Sequence, residues 1–288
     1  MVRGTFSPVR AWHPTVGPAS PPTLGVTNTM FVFEIVTPGT WLQLADNEAA
    51  HRVENLLRNL KSQFFEANTA LNLFHTERSR SNSPFRPDHD AVYERRREIE
   101  RELGADRWPM PSFEERGEIS FQAEVMAKRE YWATGKLPRA LESSVIFLYA
   151  RAFLYALDAF DKFVGALCAE PGIPTAILSL KDKIGTEFPD LRGVRNSAHH
   201  LEDRARGLGT GGKPIDLKPV NNVLASGDNV RLLAMNCLLG NKYGATMADG
   251  HYGEIDVSPE SLQKLQTILQ AILEAFNWSG SKQHEPSL

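Results

Sequence analysis

The densest chemistry in the chain lies between Asp190 and Arg204, in the run Asp-Leu-Arg-Gly-Val-Arg-Asn-Ser-Ala-His-His-Leu-Glu-Asp-Arg. It places two imidazoles, one amide and several guanidinium groups within a few helical turns. On an α-helix, residues four apart point the same way. That spacing sets Arg195 beside His199 and Asn196 beside His200, with Arg192 one turn earlier. Arginine offers a rigid fork of donors and stays charged. Histidine can move a proton near neutral pH. A helix surface carrying this set suits an oxyanion such as phosphate. Glu202 and Asp203 follow and could orient or cap the group. Any one of these residues alone reads as a solvated surface side chain; the set is what points to a site. His199 and Asp203 also lie four apart, but no third well-spaced ligand accompanies them, so no metal is expected.

Other reactive residues read more plainly. His89-Asp90, with His51 and His75 upstream, has the outline of an all-α HD-type metal phosphohydrolase, yet Asp88 and Asp90 follow Pro87 at a helix start, where Asp is expected as a cap. Arg151, inside an apolar helix, is expected to pair with a carboxylate at the bundle rim. Asp158 and Lys162 are four apart and are expected to pair with each other. Cys168 and Cys237 sit among Ala, Leu and Met and read as buried, inert thiols. Trp108, Trp132 and Trp278 read as packing residues. The run Arg95-Arg96-Arg97 is neutralised by Glu94, Glu98, Glu100 and Glu102, which makes a solvated helix face. Neither GxGxxG nor GxxxxGK[ST] occurs, so Rossmann and P-loop chemistry are unsupported.

The elements that must position the site follow from periodicity. Residues 1–40 hold six of the 18 prolines and read as an irregular arm, with a short extended segment at Met30–Val36. Val53, Leu56, Leu57, Leu60, Phe64, Leu71 and Phe74 make one apolar face on a helix of about 28 residues after Asp46. Ser79–Pro87 is a loop and Asp88–Leu103 a charged helix. Ser112 with Glu115 has the capping-box pattern and opens a third helix, which Gly135 stops. Pro138 begins a fourth, apolar almost all round, running to about Ala169 as the centre of the bundle. A fifth helix lies between Pro174 and Pro189. Asp190 caps a sixth, from Leu191 to about Arg206, and a glycine-rich loop follows. Val230–Leu239, Lys242–Ala248 and His251–Val257, with turn signals at Gly240-Asn241 and Asp249-Gly250, predict a small antiparallel meander. Ser258 and Pro259 start a last helix, buried along Leu262, Leu265, Leu269, Ile272, Leu273 and Phe276. Residues 279–288 read as a polar, frayed tail.

The fold class is therefore mainly α: a helical bundle with a small antiparallel β meander near the C-terminus. The organisation reads as an irregular arm (1–40), an N-terminal helical extension (41–110), a helical domain (111–278) with a β insertion at about 230–257, and a flexible tail (279–288). Lys and Arg number 32 and Asp and Glu 35, a formal charge of −3, which excludes a globally basic nucleic-acid coat. Two cysteines cannot form a disulfide scaffold, and a reducing, cytoplasmic setting is expected. There is no signal-peptide pattern. The most apolar stretch, Val145–Leu167, carries Arg151, Asp158, Asp161 and Lys162, so it reads as a core helix and no membrane association is expected.

Arg195-Asn196-Ser197-Ala198-His199-His200 resembles the signature of the HEPN superfamily, an Arg followed after four to six residues by a His, with a polar residue often directly after the Arg. Arg195, Asn196 and His200 fit the commonest spacing, and the helix order over about residues 112–278 agrees. The resemblance implies a metal-independent endoribonuclease that works as a homodimer, two motif helices facing across a two-fold axis. It implies catalytic roles for Arg195, Asn196 and His200, with His199, Arg192 and Asp203 as accessory residues, and no cofactor. RNA is the implied partner. A toxin or defence role, with a cognate antitoxin or regulatory protein, also belongs to that family. Non-catalytic HEPN modules that bind nucleotides, RNA or proteins are the alternative.

Overall fold

A computed structural model describes residues 30–81, 88–220 and 230–287. Most of the proline-rich arm, and most of the loop expected over 79–87, therefore lie outside the described residues. In chain order the elements are β1 (Ile35–Thr37), β2 (Trp41–Leu42), α1 (Asn47–Ser81), α2 (Asp88–Glu102), α3 (Phe113–Ala133), α4 (Arg139–Cys168), α5 (Ala176–Glu187), α6 (Leu191–His199), α7 (Leu201–Ala205), β3 (Cys237–Leu239), β4 (Lys242–Thr246), β5 (Tyr252–Asp256), α8 (Pro259–Ala275), β6 (Trp278–Ser279) and β7 (Gln283–Glu285). The molecule is mainly α, with three small antiparallel sheets among the described residues.

One large core joins α1, α4, α5, α6, the meander and α8. Leu57, Leu60, Phe64, Leu71 and Phe74 of α1 meet Ala150, Phe153, Leu157 and Phe160 of α4 inside it. The chain therefore does not divide at residue 110. The apolar stripe of α1, assigned to a separate extension, is the longest partner of the central helix. Spacing could show that α1 had a buried face but not which helix it covered. By length and composition α4 could cross a membrane. One face of it is filled by α1.

The helix ends follow local chemistry. The Ser112 hydroxyl accepts from the Glu115 N–H at 3.2 Å, and the Glu115 carboxylate accepts from the Ser112 N–H at 2.8 Å, closing the capping box on α3. Ser258 accepts from the Ser261 N–H at the start of α8. α2 and α3 pack on each other as a satellite hairpin, with Ile99, Ala123 and Ala127 as their buried residues. Trp108, at the turn between them, is 90 % exposed, so it is not the packing residue its size suggested.

The C-terminal tail is paired rather than frayed. β7 runs antiparallel to β1, and β6 antiparallel to β2. Glu285 accepts from Lys61 Nζ at 2.7 Å and from the Thr37 hydroxyl at 3.2 Å. These contacts use backbone and polar groups, which hydrophobic patterning does not register. The meander has the order β3-β4-β5. It turns at Gly250, whose φ of +90° and close approach to the Asp216 carbonyl leave no room for a Cβ.

Candidate functional site

α6 carries the motif, and three neighbours hold it. Its Leu191 and Val194 enter the core, and it packs on α4, β4 and β5. Asp190 does not cap the helix with its side chain; its Oδ2 accepts from the Glu254 N–H at 3.1 Å and ties the start of α6 to β5. Gly193 lets the helix lie against Met247, whose sulfur would meet any Cβ there.

The helix expected to reach Arg206 breaks at His200, which has φ −111° and ψ 51°, and α7 restarts at Leu201. Arg204 holds that break. It is buried, donates from Nε to the Ser197 hydroxyl at 3.1 Å, and reaches the Leu208 carbonyl. Sequence reasoning passed over Arg204 because an arginine near a helix end looks like a surface residue.

The structure brings Arg195 and Asn196 together. Arg195 Nη1 donates to Asn196 Oδ1 at 2.8 Å, and Arg195 Nε donates to Asp158 Oδ2 at 2.8 Å. The Asp158 side chain is only 11 % exposed and also takes Lys162 Nζ at 2.6 Å. The expected Asp158–Lys162 pair is therefore present, but Asp158 also positions the motif arginine. The missed signal was a carboxylate on the buried side of an apolar helix, which must find a partner. Arg195 is thus beside Asp158 and Asn196 rather than His199. His199 is exposed, and its ring meets that of His200 edge to face at 5.2 Å.

Two concavities share Asn196. A cleft of about 820 Å³ between α4, α5 and α6 is bordered by Asp158, Lys162, Lys181, Arg192, Arg195 and Asn196. Lys181 binds the carboxylate and the carbonyl of Asp161. Arg192 is exposed and has no hydrogen-bond or ionic partner among the described residues, so its guanidinium is free for an anion. A smaller pocket of about 300 Å³ is lined by Asn196, His200, Asp203, Thr210 and Gly211. His200 faces it half-exposed, with Nδ1 3.5 Å from Glu202 Oε1. Asp203 is held by Arg206 at 2.5 Å.

Comparison with protein-family models, curated proteins and solved structures finds no match.

Among the described residues, one group of side chains could hold a cation. His200, Glu202 and Asp203 bring ligand atoms within 4.8 Å of one another. His200, not His199, joins Asp203 in that group, because the helix break turns it there. The HD-type outline does not assemble: His51 and His75 stand on α1 24 residues apart, roughly 36 Å along the axis. His75 lies between Phe31 and Phe74, and desolvation pushes its pKa below the ordinary value, helped by Arg78. Arg151 donates to the Phe147 carbonyl at 3.4 Å and has no carboxylate partner among the described residues. Cys168 and Cys237 are half-buried, and burial raises both thiol pKa values.

Proposed function

We propose that the chain is a metal-independent endoribonuclease of HEPN type. One observation carries the reading. Arg195 and Asn196 are joined side chain to side chain at the edge of the large cleft, with Asp158 fixing the guanidinium behind them. This is a preorganised donor pair, the arrangement that stabilises a developing oxyanion. Arg192 adds a second, uncommitted guanidinium for a neighbouring phosphate. His200 stands across Asn196 in the adjoining pocket.

The reaction needs no external nucleophile. His200 takes the proton from a ribose 2′-OH. The 2′-oxygen attacks the neighbouring phosphorus, and a 2′-O–P bond forms as the P–O5′ bond breaks. Arg195 stabilises the charge on the phosphorane and Asn196 holds a non-bridging oxygen. The departing 5′-oxygen takes up a proton from water, and His200 returns the 2′-OH proton to solvent. The products are a 2′,3′-cyclic phosphate and a 5′-hydroxyl. In this reading the protein works as a homodimer that forms a shared groove, with RNA as substrate and a cognate antitoxin or regulatory protein as a further partner. A second reading is supported by the Arg195–Asp158 pair itself. Its charge is already partly offset, which suits a module that binds RNA or nucleotides without turnover.

Cleavage of labelled single-stranded RNA in excess EDTA separates these readings. The expected result is cleavage that leaves cyclic phosphate ends, lost by about 100-fold or more in Arg195→Ala and His200→Ala and retained in His199→Ala. RNA binding without cleavage supports the non-catalytic module. Cleavage abolished by EDTA overturns the mechanism and points to a metal at His200, Glu202 and Asp203.

A further inference from the structure

Among the described residues, two helix faces carry rows of exposed apolar side chains. On α4, Ala150, Leu157 and Val164 recur every seventh residue and are buried against the core. Leu141, Leu148 and Tyr155 recur at the same interval on the opposite side and are exposed. On α3, Ala123 and Ala127 face α2, while Phe121, Val125 and Trp132 occupy the other side, with Lys128, paired to Glu124, between them. Phe121 and Trp132 are exposed there. α3 packs on α2 and not along α4, although only residues 134–138 connect them.

The hairpin is also short of a core of its own. Its fully buried side chains are Ile99, Ala123 and Ala127. For two helices of 15 and 21 residues, with Val92 and Leu103 partly buried beside them, that is a small core. Its many ion pairs are exposed, and such pairs contribute little.

We propose that these faces belong to one interface: the α3 face of each chain seats on the α4 face of a second copy, reciprocally about a two-fold axis. The area supports this occupant. Phe121, Trp132, Leu141, Leu148 and Tyr155 are between 37 and 63 % exposed. At roughly 200 Å² for a large apolar side chain, they expose on the order of 500 Å² per protomer. Reciprocal exchange covers both faces of both chains, on the order of 1,000 Å² from these residues alone, which reaches the threshold of a specific interface. An isologous exchange closes on itself and leaves neither face open to further copies. Lys162, seven residues beyond Tyr155 on the same line of α4, borders the large cleft, so the interface ends where the candidate site begins. No part of the catalytic reading enters this argument, and its test reads association rather than cleavage.

The test uses the full chain with Cys168→Ser and Cys237→Ser as background. Sedimentation equilibrium at micromolar concentration is expected to give the mass of two chains. Leu148→Glu and Phe121→Glu are each expected to weaken association by about 100-fold, with helicity by circular dichroism unchanged because both positions are exposed. Phe121→Cys on one chain and Leu148→Cys on a differently tagged chain are then mixed and oxidised. The expected covalent product joins the two tags. A background chain with the mass of one copy overturns the proposal. So does a dimer in which only chains carrying the same substitution become joined, Phe121→Cys to Phe121→Cys or Leu148→Cys to Leu148→Cys. So does a monomeric double variant that closes the bond within one chain, which would show the hairpin folding back on its own α4.

Discussion

The bundle around α4 and the hairpin of α2 and α3 are built on opposite terms. In the bundle, large apolar side chains from five helices and the meander meet in one core. In the hairpin, Ile99 and two alanines are buried, and exposed arginine–glutamate pairs run along α2 and across to α3. Apolar burial contributes roughly 25 cal/mol per Å² and acts whatever the salt. Exposed ion pairs contribute little and are screened. The difference teaches that helical regularity is no measure of stability: α3 has the better-formed N-cap, yet α4 has the better-supported helix. It also places the candidate site on the rigid half, since Asp158 and Arg195 both project from the bundle.

The largest expected effect sets the two halves directly against each other. Phe64→Ala empties a fully buried position of α1 and is expected to cost about 3–5 kcal/mol, lowering the whole unfolding transition. Ile99→Ala, at an equally buried position, is expected to strip hydrogen-exchange protection from α2 and α3 while leaving α1, α4 and α8 protected. Calorimetry of the first and exchange on the second check this. A global loss of protection in Ile99→Ala would show that the hairpin and the bundle are one cooperative unit.

The helix ends in both halves were legible in the sequence, but the division between the halves was not. Ser112 with Glu115, Gly135, and Ser258 with Pro259 marked helix ends through chemistry that is local, and the structure bears them out. The period of Val53 to Phe74 showed a buried face on α1. What spacing could not supply was the partner. Local pattern is silent on which helix fills which groove, so α1 was separated from the helix it covers. The same limit applied at the site. Arg195 and Asn196 were legible as site residues, though spacing set Arg195 beside His199, and Asp158 lies 37 residues away and reached Arg195 only through tertiary packing. The break at His200 depends on Arg204 turning inward to Ser197, a choice between solvent and core that the residue type alone does not settle. The tail was misread because β7 is held by backbone pairing and by Lys61, not by apolar residues.

A smaller effect sharpens the comparison through pH. His75 is the titratable group packed between rings on the bundle side, and burial holds its pKa below the ordinary 6.5. The folded state therefore stays neutral where the unfolded chain takes up a proton. Stability is unaffected well above pH 6.5 and falls as the pH drops through that value. Glu260 and Asp256 act in the opposite sense but more weakly than desolvation and Arg78 together. His75→Phe is expected to remove this acid-side loss. Urea midpoints of wild type and variant at either side of the transition check it, and parallel curves would show that His75 is not the group responsible.

The smallest expected effect concerns the hairpin's charges. Arg95 donates to Glu130 at 2.7 and 3.2 Å, to Glu98 at 3.0 Å and to Glu102 at 3.1 Å, so one guanidinium bridges α2 and α3. These hydrogen bonds raise its pKa, with Glu130 foremost, but the group is open to solvent. Raising the salt from about 0.1 to 1 M shortens the Debye length from about 10 to 3 Å. The protection lost in Arg95→Ala is therefore expected to be slight at low salt and absent at high salt. The protection lost in Ile99→Ala is expected to persist at both, because burial of an apolar side chain does not depend on screening. Exchange rates of the α3 amides in both variants at both salt concentrations decide it. A larger and salt-resistant loss in Arg95→Ala would mean that charge, not the three buried residues, joins α2 to α3, and the contrast between the two halves of the molecule would fail at that point.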